Sequence, residues 1–163
     1  MTVRSVRLFG DPVLVSRADE VTDFDHTLET LVNDMLDTMD EQGGVGLAAN
    51  QVGVLQRVFV YDCEGVRGHI VNPEWEAIGE DTLFEEEGCL SIPGVNAKAT
   101  RFAKVRVTGQ DCKGVPVAVE GEGLLSRCIQ HETDHLDGVL FLKRLDKEER
   151  KSAMKQLRQQ EWF

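Results

Sequence analysis

A short segment of the chain, His131-Glu132-Thr133-Asp134-His135, has the HExxH pattern. Residues four apart are neighbours on one face of a helix, so both imidazoles could bind one divalent metal ion. Glu132 would then lie beside a water molecule at that ion and could carry its proton. The pattern therefore predicts a hydrolytic metal site.

A hydrolytic site of this kind needs a third protein ligand and an open position for water. The long zincin pattern would require a histidine at position 141, which is Phe141, so that subclass is excluded. Glu148 or Glu149 could bind the ion as in a thermolysin-like peptidase, but both lie in a charged segment. Cys89 is the better candidate, because Gly88 allows close approach of the backbone and a thiolate suits a soft divalent site.

A third segment that could take part in binding or catalysis is the glycine-rich stretch that ends at Gln51. Gly44 and Gly46 would let backbone amides approach a ligand, and Gln51 adds an amide donor and acceptor. The segment lacks the GxxxxGK[ST] pattern of a phosphate loop. It is interpreted either as a ligand-contacting loop or as a simple helix end and turn.

The hydrophobic pattern predicts the elements that position these residues. An amphipathic helix is predicted over 22–41, with Thr22 or Asp23 as its cap and Gly43-Gly44 as its end. Short strands are predicted over 57–61, 69–75, 104–108 and 115–119, and helices over 124–136 and from an Asp146 cap to about 159. This order indicates the α+β class with antiparallel pairing, in one domain over 1–163.

Composition narrows the function classes. The 163 residues carry a net charge of −11, which disfavours general binding to nucleic acids, including DNA. Four cysteines without a CxxC pair indicate free thiols or metal ligands. No secretory leader or membrane-spanning run is found, so a cytoplasmic protein without membrane contact is expected. The segment 143–163 is basic by contrast, with seven basic residues against four acidic ones.

Three segments in order resemble the motifs of the peptide deformylase family: GVGLAANQ (44–51), EGCLS (87–91) and QHETDHLDG (130–138). The resemblance extends from RLFGDPVL (7–14) to FLKRLD (141–146), and SIPG after the cysteine is similar to the bacterial branch. It implies a metal-dependent hydrolase that removes the formyl group from the N-terminal formyl-methionine of nascent polypeptides. The implied fold has antiparallel β-sheets packed around a central HExxH helix, with an N-terminal amphipathic helix and a C-terminal helix.

The resemblance also implies roles for individual residues. Fe²⁺ would be the native ion, with Zn²⁺ or other divalent ions as substitutes. Glu132 would be the proton carrier, and Gln51 and the backbone N–H of Leu90 would hold the formyl oxygen. The metal ligands would be Cys89, His131 and His135, and the substrate-binding positions would be Gly44, Val45, Gly46, Leu124 and Cys128.

The chain departs from the family pattern in one place. Many relatives carry an arginine seven residues after the ligand cysteine, where this chain has Asn96. The next arginine along the chain is Arg101. Contacts to the backbone of the substrate are therefore expected to differ. The acidic run Glu85 to Glu87 is interpreted as a solvated edge.

The basic C-terminal segment has two interpretations. It could be a surface helix docked on the core, or it could contact ribosomal RNA, as the C-terminal helix of some deformylases does. Trp162 and Phe163 could anchor its end to the core or to a partner. Two alternatives to a deformylase are an HExxH peptidase with a glutamate ligand and a noncatalytic peptide-binding protein, although the latter has no support in the sequence.

Overall fold

The computed structural model describes residues 2–163, and its architecture is α+β with antiparallel strand pairing, as predicted. Five strands form one sheet in the order β1-β2-β3-β6-β7, and β4 pairs with β5 in a second sheet. The strands are β1 (Gly46–Ala48), β2 (Val58–Cys63), β3 (Val66–Ala77), β4 (Thr82–Glu87), β5 (Ala97–Phe102), β6 (Lys104–Gln110) and β7 (Pro116–Glu122). The helices are α1 (His26–Gln42), α2 (Gly123–Leu136) and α3 (Lys147–Arg158).

The first helix begins later than the sequence pattern predicts. The side chain of Asp25 accepts a hydrogen bond from the Leu28 amide at 3.1 Å, which makes Asp25 the cap; the expected cap at Thr22 or Asp23 is wrong. The predicted end is confirmed, because Gly43 adopts the left-handed conformation with φ 68° and terminates α1. The glycine-rich segment thus starts directly at the end of a rigid helix.

The four predicted strands are confirmed, but β1, β4 and β5 were not predicted. Gly46-Leu47-Ala48 has low β propensity, and β4 ends in three consecutive glutamates that resemble a loop in sequence. In β5 buried and exposed residues alternate, but the buried ones are small or charged: Ala97, Ala99 and Arg101. These three strands form much of the frame around the proposed site.

Strand β2 is buried on both faces because its side chains alternate between two helices. Phe59 and Tyr61 belong to the core cluster that contains Ile129 of α2. Val58 and Val60 belong to the cluster formed with α1. The helix that carries HExxH is therefore central, as the resemblance implied, and every residue of α2 from 128 to 136 is buried.

The C-terminal helix is docked on the body of the protein. Asp146 caps α3 by accepting a hydrogen bond from the Glu149 amide at 2.8 Å, and Ala153 and Leu157 are buried. The end of the chain is anchored as well, since the indole N–H of Trp162 donates to the Pro93 carbonyl at 2.9 Å. None of the helices within residues 2–163 has the length and apolar character needed to cross a membrane.

Candidate active site

Helix α2 and the turn after β4 bring together the three residues predicted as metal ligands. The donor atoms of Cys89, His131 and His135 all lie within 4.8 Å of one another. The Sγ of Cys89 is 3.3 Å from the Nε2 of His135. Within residues 2–163 this is the group of three that could hold a metal ion, whereas Glu148 and Glu149 lie in the first turn of α3, outside it.

A buried carboxylate fixes the ring of His131. The Nδ1 of His131 is 3.0 Å from Oε1 of Glu87, which leaves Nε2 free for an ion. Burial alone would raise the pKa of Glu87, but hydrogen bonds from His131 and Arg101 outweigh it and lower that pKa to about 2. Glu87 is therefore a charged group that orients a ligand. The interpretation of Glu87 as a solvated edge is wrong, because Glu87 at the end of β4 is buried against His131 and Arg101, while Glu85 and Glu86 are exposed.

Arg101 joins this carboxylate to a second one. Its guanidinium donates to both oxygens of Glu87 at 2.8 and 2.9 Å and to Asp134 at 2.8 Å. Asp134 also accepts two hydrogen bonds from Arg144, at 2.8 and 3.0 Å. Because the Arg101 side chain is only 4% exposed, it cannot take the place of the arginine that Asn96 replaces.

His135 and the glycine-rich segment are also connected. The Asn50 side chain donates a hydrogen bond to the backbone carbonyl of His135. Burial lowers the pKa of His135 well below its usual value, and the nearby His131 lowers it further. The imidazole of His135 is therefore neutral, which is the form that binds metal ions. Thiolate and imidazole donors at these separations fit Zn²⁺ or Fe²⁺.

Glu132 lies beside the cluster in an unusual environment. It is 4% exposed, and its Oε1 has no hydrogen-bond partner within residues 2–163. Burial is the main reason that its pKa rises to about 7. A Cβ at Gly46 would lie 2.6 Å from Oε2 of Glu132 and 2.7 Å from Sγ of Cys128, so only glycine leaves room for this carboxyl. A carboxyl group with a pKa near neutrality suits proton transfer.

Gln51 and Leu90 flank the cluster on its other side. The Gln51 amide oxygen accepts from the Ala48 N–H at 2.9 Å, which fixes the orientation of the amide. Its Nε2 donates to Ser91 Oγ at 3.0 Å and lies 3.7 Å from Cys89 Sγ. The backbone N–H of Leu90 is not used by a hydrogen bond within residues 2–163. Both predicted donors therefore lie at the wall of the cluster.

The remaining predicted residues line a cleft of about 500 Å³ that opens beside the cluster. A Cβ at Gly44 would lie 2.7 Å from the Leu90 side chain, so the cleft narrows there. A hydrogen bond with Cys63, together with burial, raises the pKa of the Cys128 thiol well above its usual value, so this wall is uncharged. The predicted substrate-binding residues all line the cleft: Gly44, Val45, Gly46, Leu124 and Cys128.

Comparison with known proteins decides the family. The family model described as Polypeptide deformylase matches residues 3–151, which is most of the chain. The chain belongs to the polypeptide deformylase family.

Individual members of this deformylase family are similar over nearly the full length. Peptide deformylase 1 of Corynebacterium efficiens is 66% identical, with 100% of this chain and 99% of that protein covered. The crystal structure of a peptide deformylase from Legionella pneumophila is 42% identical and superposes with a TM-score of 0.88, covering 96% of this chain and 94% of that one. A peptide deformylase from Synechococcus elongatus, solved in complex with actinonin, is 40% identical with a TM-score of 0.86, covering 92% and 83%.

Three residues of the candidate site could not be identified from the motifs. Glu87 follows two exposed glutamates, and β4 has no alternating burial pattern that could have revealed its role. Arg101 contacts Asp134 across 33 positions of sequence, and no local pattern predicts such a pair. Arg127 lines the cleft, and its position four residues before His131 could have placed it on the same helix face.

The far wall of the cleft is held by the C-terminal part of the chain. The Asn96 N–H donates to the Gln156 side chain at 2.9 Å, and that side chain donates back to the Asn96 carbonyl at 2.9 Å. Gln160 donates to Gly94 at 3.4 Å, in addition to the Trp162 bond to Pro93. These contacts, which we call the C-terminal clamp, fix the backbone of 93–96 where it borders the cleft.

Proposed function

We propose that this cleft carries out the reaction of the family on the formylated N-terminus of a nascent polypeptide. The protein is a hydrolase that breaks the bond between the formyl carbon and the methionine nitrogen and releases formate. The observation that supports this site is the cluster of Cys89, His131 and His135 beside the buried Glu132, next to a cleft that is uncharged at Cys128. The whole chain acts as one domain around it.

Cys89, His131 and His135 hold a divalent ion in this proposal, and Glu87 sets the ring orientation of His131. When bound, such an ion supplies Lewis-acid chemistry, because it makes water acidic near neutral pH and polarises a carbonyl oxygen. We propose Fe²⁺ as the native ion. The donor set alone suits Fe²⁺ and Zn²⁺ equally, and the preference for iron follows the family resemblance.

The side chains of the protein move the proton and hold the developing charge. Glu132 accepts a proton as water adds to the formyl carbon, and it returns this proton to the departing amine as the carbon–nitrogen bond breaks. Gln51 Nε2 and the Leu90 N–H donate to the formyl oxygen, which becomes negative during the attack. Removal of one donor of this kind typically costs about 10²- to 10³-fold in rate.

Formate release from formyl-Met-Ala-Ser tests the assignment directly. The protein is expected to release stoichiometric formate from this peptide and to leave acetyl-Met-Ala-Ser intact. A peptidase with the same HExxH helix would instead cleave an internal peptide bond, which mass spectrometry of the products would show. Cleavage between methionine and alanine, or no reaction at all, would contradict the proposed function.

The identity of the ion leads to a prediction about oxygen. Protein purified without air and loaded with Fe²⁺ is expected to be more active than the Zn²⁺ form and to lose activity in air, because iron and the Cys89 thiolate are both oxidisable. Metal analysis, thiol titration and formate release at intervals after exposure to air measure this. Equal activity of an air-exposed preparation containing only zinc would contradict iron as the native ion.

We also propose that the protein works in the cytoplasm, where its substrates are made, and that α3 contacts ribosomal RNA. Lys147, Lys151 and Lys155 are exposed and lie four residues apart, so they form one basic line along the helix. Such a line can bind phosphates locally although the protein as a whole is acidic.

Charge reversal tests this contact better than deletion, because deletion would also remove the C-terminal clamp. The Lys→Glu triple variant at 147, 151 and 155 is expected to lose co-sedimentation with ribosomes at low salt while it keeps hydrolysis of a short formyl peptide. Lys→Glu changes at 98, 104 and 113 give a control with the same net charge. Unchanged co-sedimentation of the α3 variant, or none with the wild type, would contradict the contact.

A further inference from the structure

Arg127 has no role in the mechanism described above, yet it lines the substrate cleft. It precedes His131 by four residues on α2, so the two side chains share one helix face, about 6 Å apart along the axis. Among the cleft-lining residues within 2–163, Arg127 is the one lysine or arginine. A cation therefore stands in the cleft one helical turn from the proposed metal cluster.

The guanidinium of Arg127 is held in place but is largely free to bind a ligand. Its Nη1 donates to the backbone carbonyl of Glu86 at 3.1 Å, on the strand that also carries Glu87. Its Nε is buried and has no hydrogen-bond partner within residues 2–163. Because a guanidinium has five N–H donors and this one forms a single hydrogen bond within residues 2–163, the donors left for a ligand are those of Nη2 and the second one of Nη1.

Arg127 differs from the other residues near the cleft in carrying a positive charge that no acidic side chain neutralises. Arg101 is fully engaged with Glu87 and Asp134, and Asn96 is neutral. No carboxylate of the described chain forms an ion pair with Arg127, although Glu86, Glu87 and Glu132 also line the cleft. On a protein with a net charge of −11, an acidic peptide would otherwise be repelled at this place.

We propose that Arg127 is a specificity residue that binds a carboxylate side chain in one of the two residues after formyl-methionine. This inference rests on the proposed function, since it takes the formyl carbon to lie at the cluster. An extended peptide advances about 3.3 Å per residue. The residues that follow methionine therefore pass the helical turn on which Arg127 stands, and its planar, forked donors match a carboxylate.

The test compares peptides that differ only in the charge of one side chain. The substrates are formyl-Met-Asp-Ser against formyl-Met-Asn-Ser, and formyl-Met-Ala-Asp against formyl-Met-Ala-Asn, with formyl-Met-Ala-Ser as the reference. In Arg127→Gln the Asp-to-Asn ratio of kcat/KM is expected to fall about tenfold at one of the two positions, mainly through KM. Arg127→Lys should retain part of the ratio, because it keeps the charge but loses the fork.

The ratio is measured within each variant, so a partly inactive preparation does not affect it. Arg106→Gln, at an exposed position of β6, removes the same charge far from the cleft and should leave the ratio at the wild-type value. If the wild type cleaves the reference peptide but Arg127→Gln keeps the wild-type ratio at both positions, the role of Arg127 is wrong. If the wild type releases no formate from the reference peptide, the proposed function itself fails.

Discussion

Glu132→Gln is expected to keep its metal ion and to lose most of its turnover, by about 10²- to 10⁴-fold, the usual contribution of a positioned proton carrier. Glutamine has nearly the same shape as glutamate, so it fits the space that Gly46 leaves beside the cluster. It cannot accept a proton from water, however, and the donor atoms of Cys89, His131 and His135 are unchanged. Metal analysis together with formate release measures both properties.

Glu120→Gln on β7 is a matched control for this substitution, because Glu120 is exposed and the change in charge is the same. It should keep both metal and activity. Loss of metal from Glu132→Gln would mean that the carboxyl group helps to hold the ion. A rate close to that of the wild type with metal bound would mean that Glu132 does not carry the proton.

Cys89→Ala is expected to lose both the ion and the activity. With one of three donors removed, metal affinity should fall by more than about 100-fold, since even the loss of a residue that only hydrogen-bonds a metal ligand typically costs about 10- to 100-fold. Cys112→Ala is the matched control, because Cys112 is a half-buried free thiol in the turn between β6 and β7. Metal titration of the two variants under nitrogen gives the comparison.

This substitution also separates the proposed site from the thiol-independent alternative. A peptidase that used Glu148 or Glu149 as its third ligand would keep its ion after loss of Cys89. Retention of stoichiometric metal in Cys89→Ala would therefore contradict the three-donor cluster. Loss of metal in Cys112→Ala as well would indicate a general effect of thiol removal and would equally contradict the assignment.

The residues that could be predicted from the sequence are those whose spacing is local. His131, Glu132 and His135 share one helix, and hydrophobic periodicity locates that helix without reference to the rest of the chain. Cys89 depends on the glycine beside it and on the order of motifs. The structure brings Cys89 close to His131 and His135, as predicted, because the HExxH spacing places both histidines on one face of the helix.

The supporting charges could not be predicted, because they depend on tertiary contacts. Glu87 meets His131 across 44 positions, and a surface location is the usual one for a glutamate in an acidic run. Burial of Glu87, Arg101 and Asp134 together is possible only because each charge faces an opposite one. Strand β5, which carries Arg101, was missed for the same reason, since its inward residues are small or charged.

The C-terminal clamp has a thermodynamic consequence for any partner of α3. Gln156 and Trp162 hold the backbone of 93–96, so the position of α3 and the shape of the cleft wall are linked. If a molecule bound to α3 changes the affinity for peptide by some factor, bound peptide must change the affinity for that molecule by the same factor. If a partner bound to α3 does change that affinity, the side chains of Gln156, Gln160 and Trp162 are the contacts that connect this part of the chain to the cleft wall.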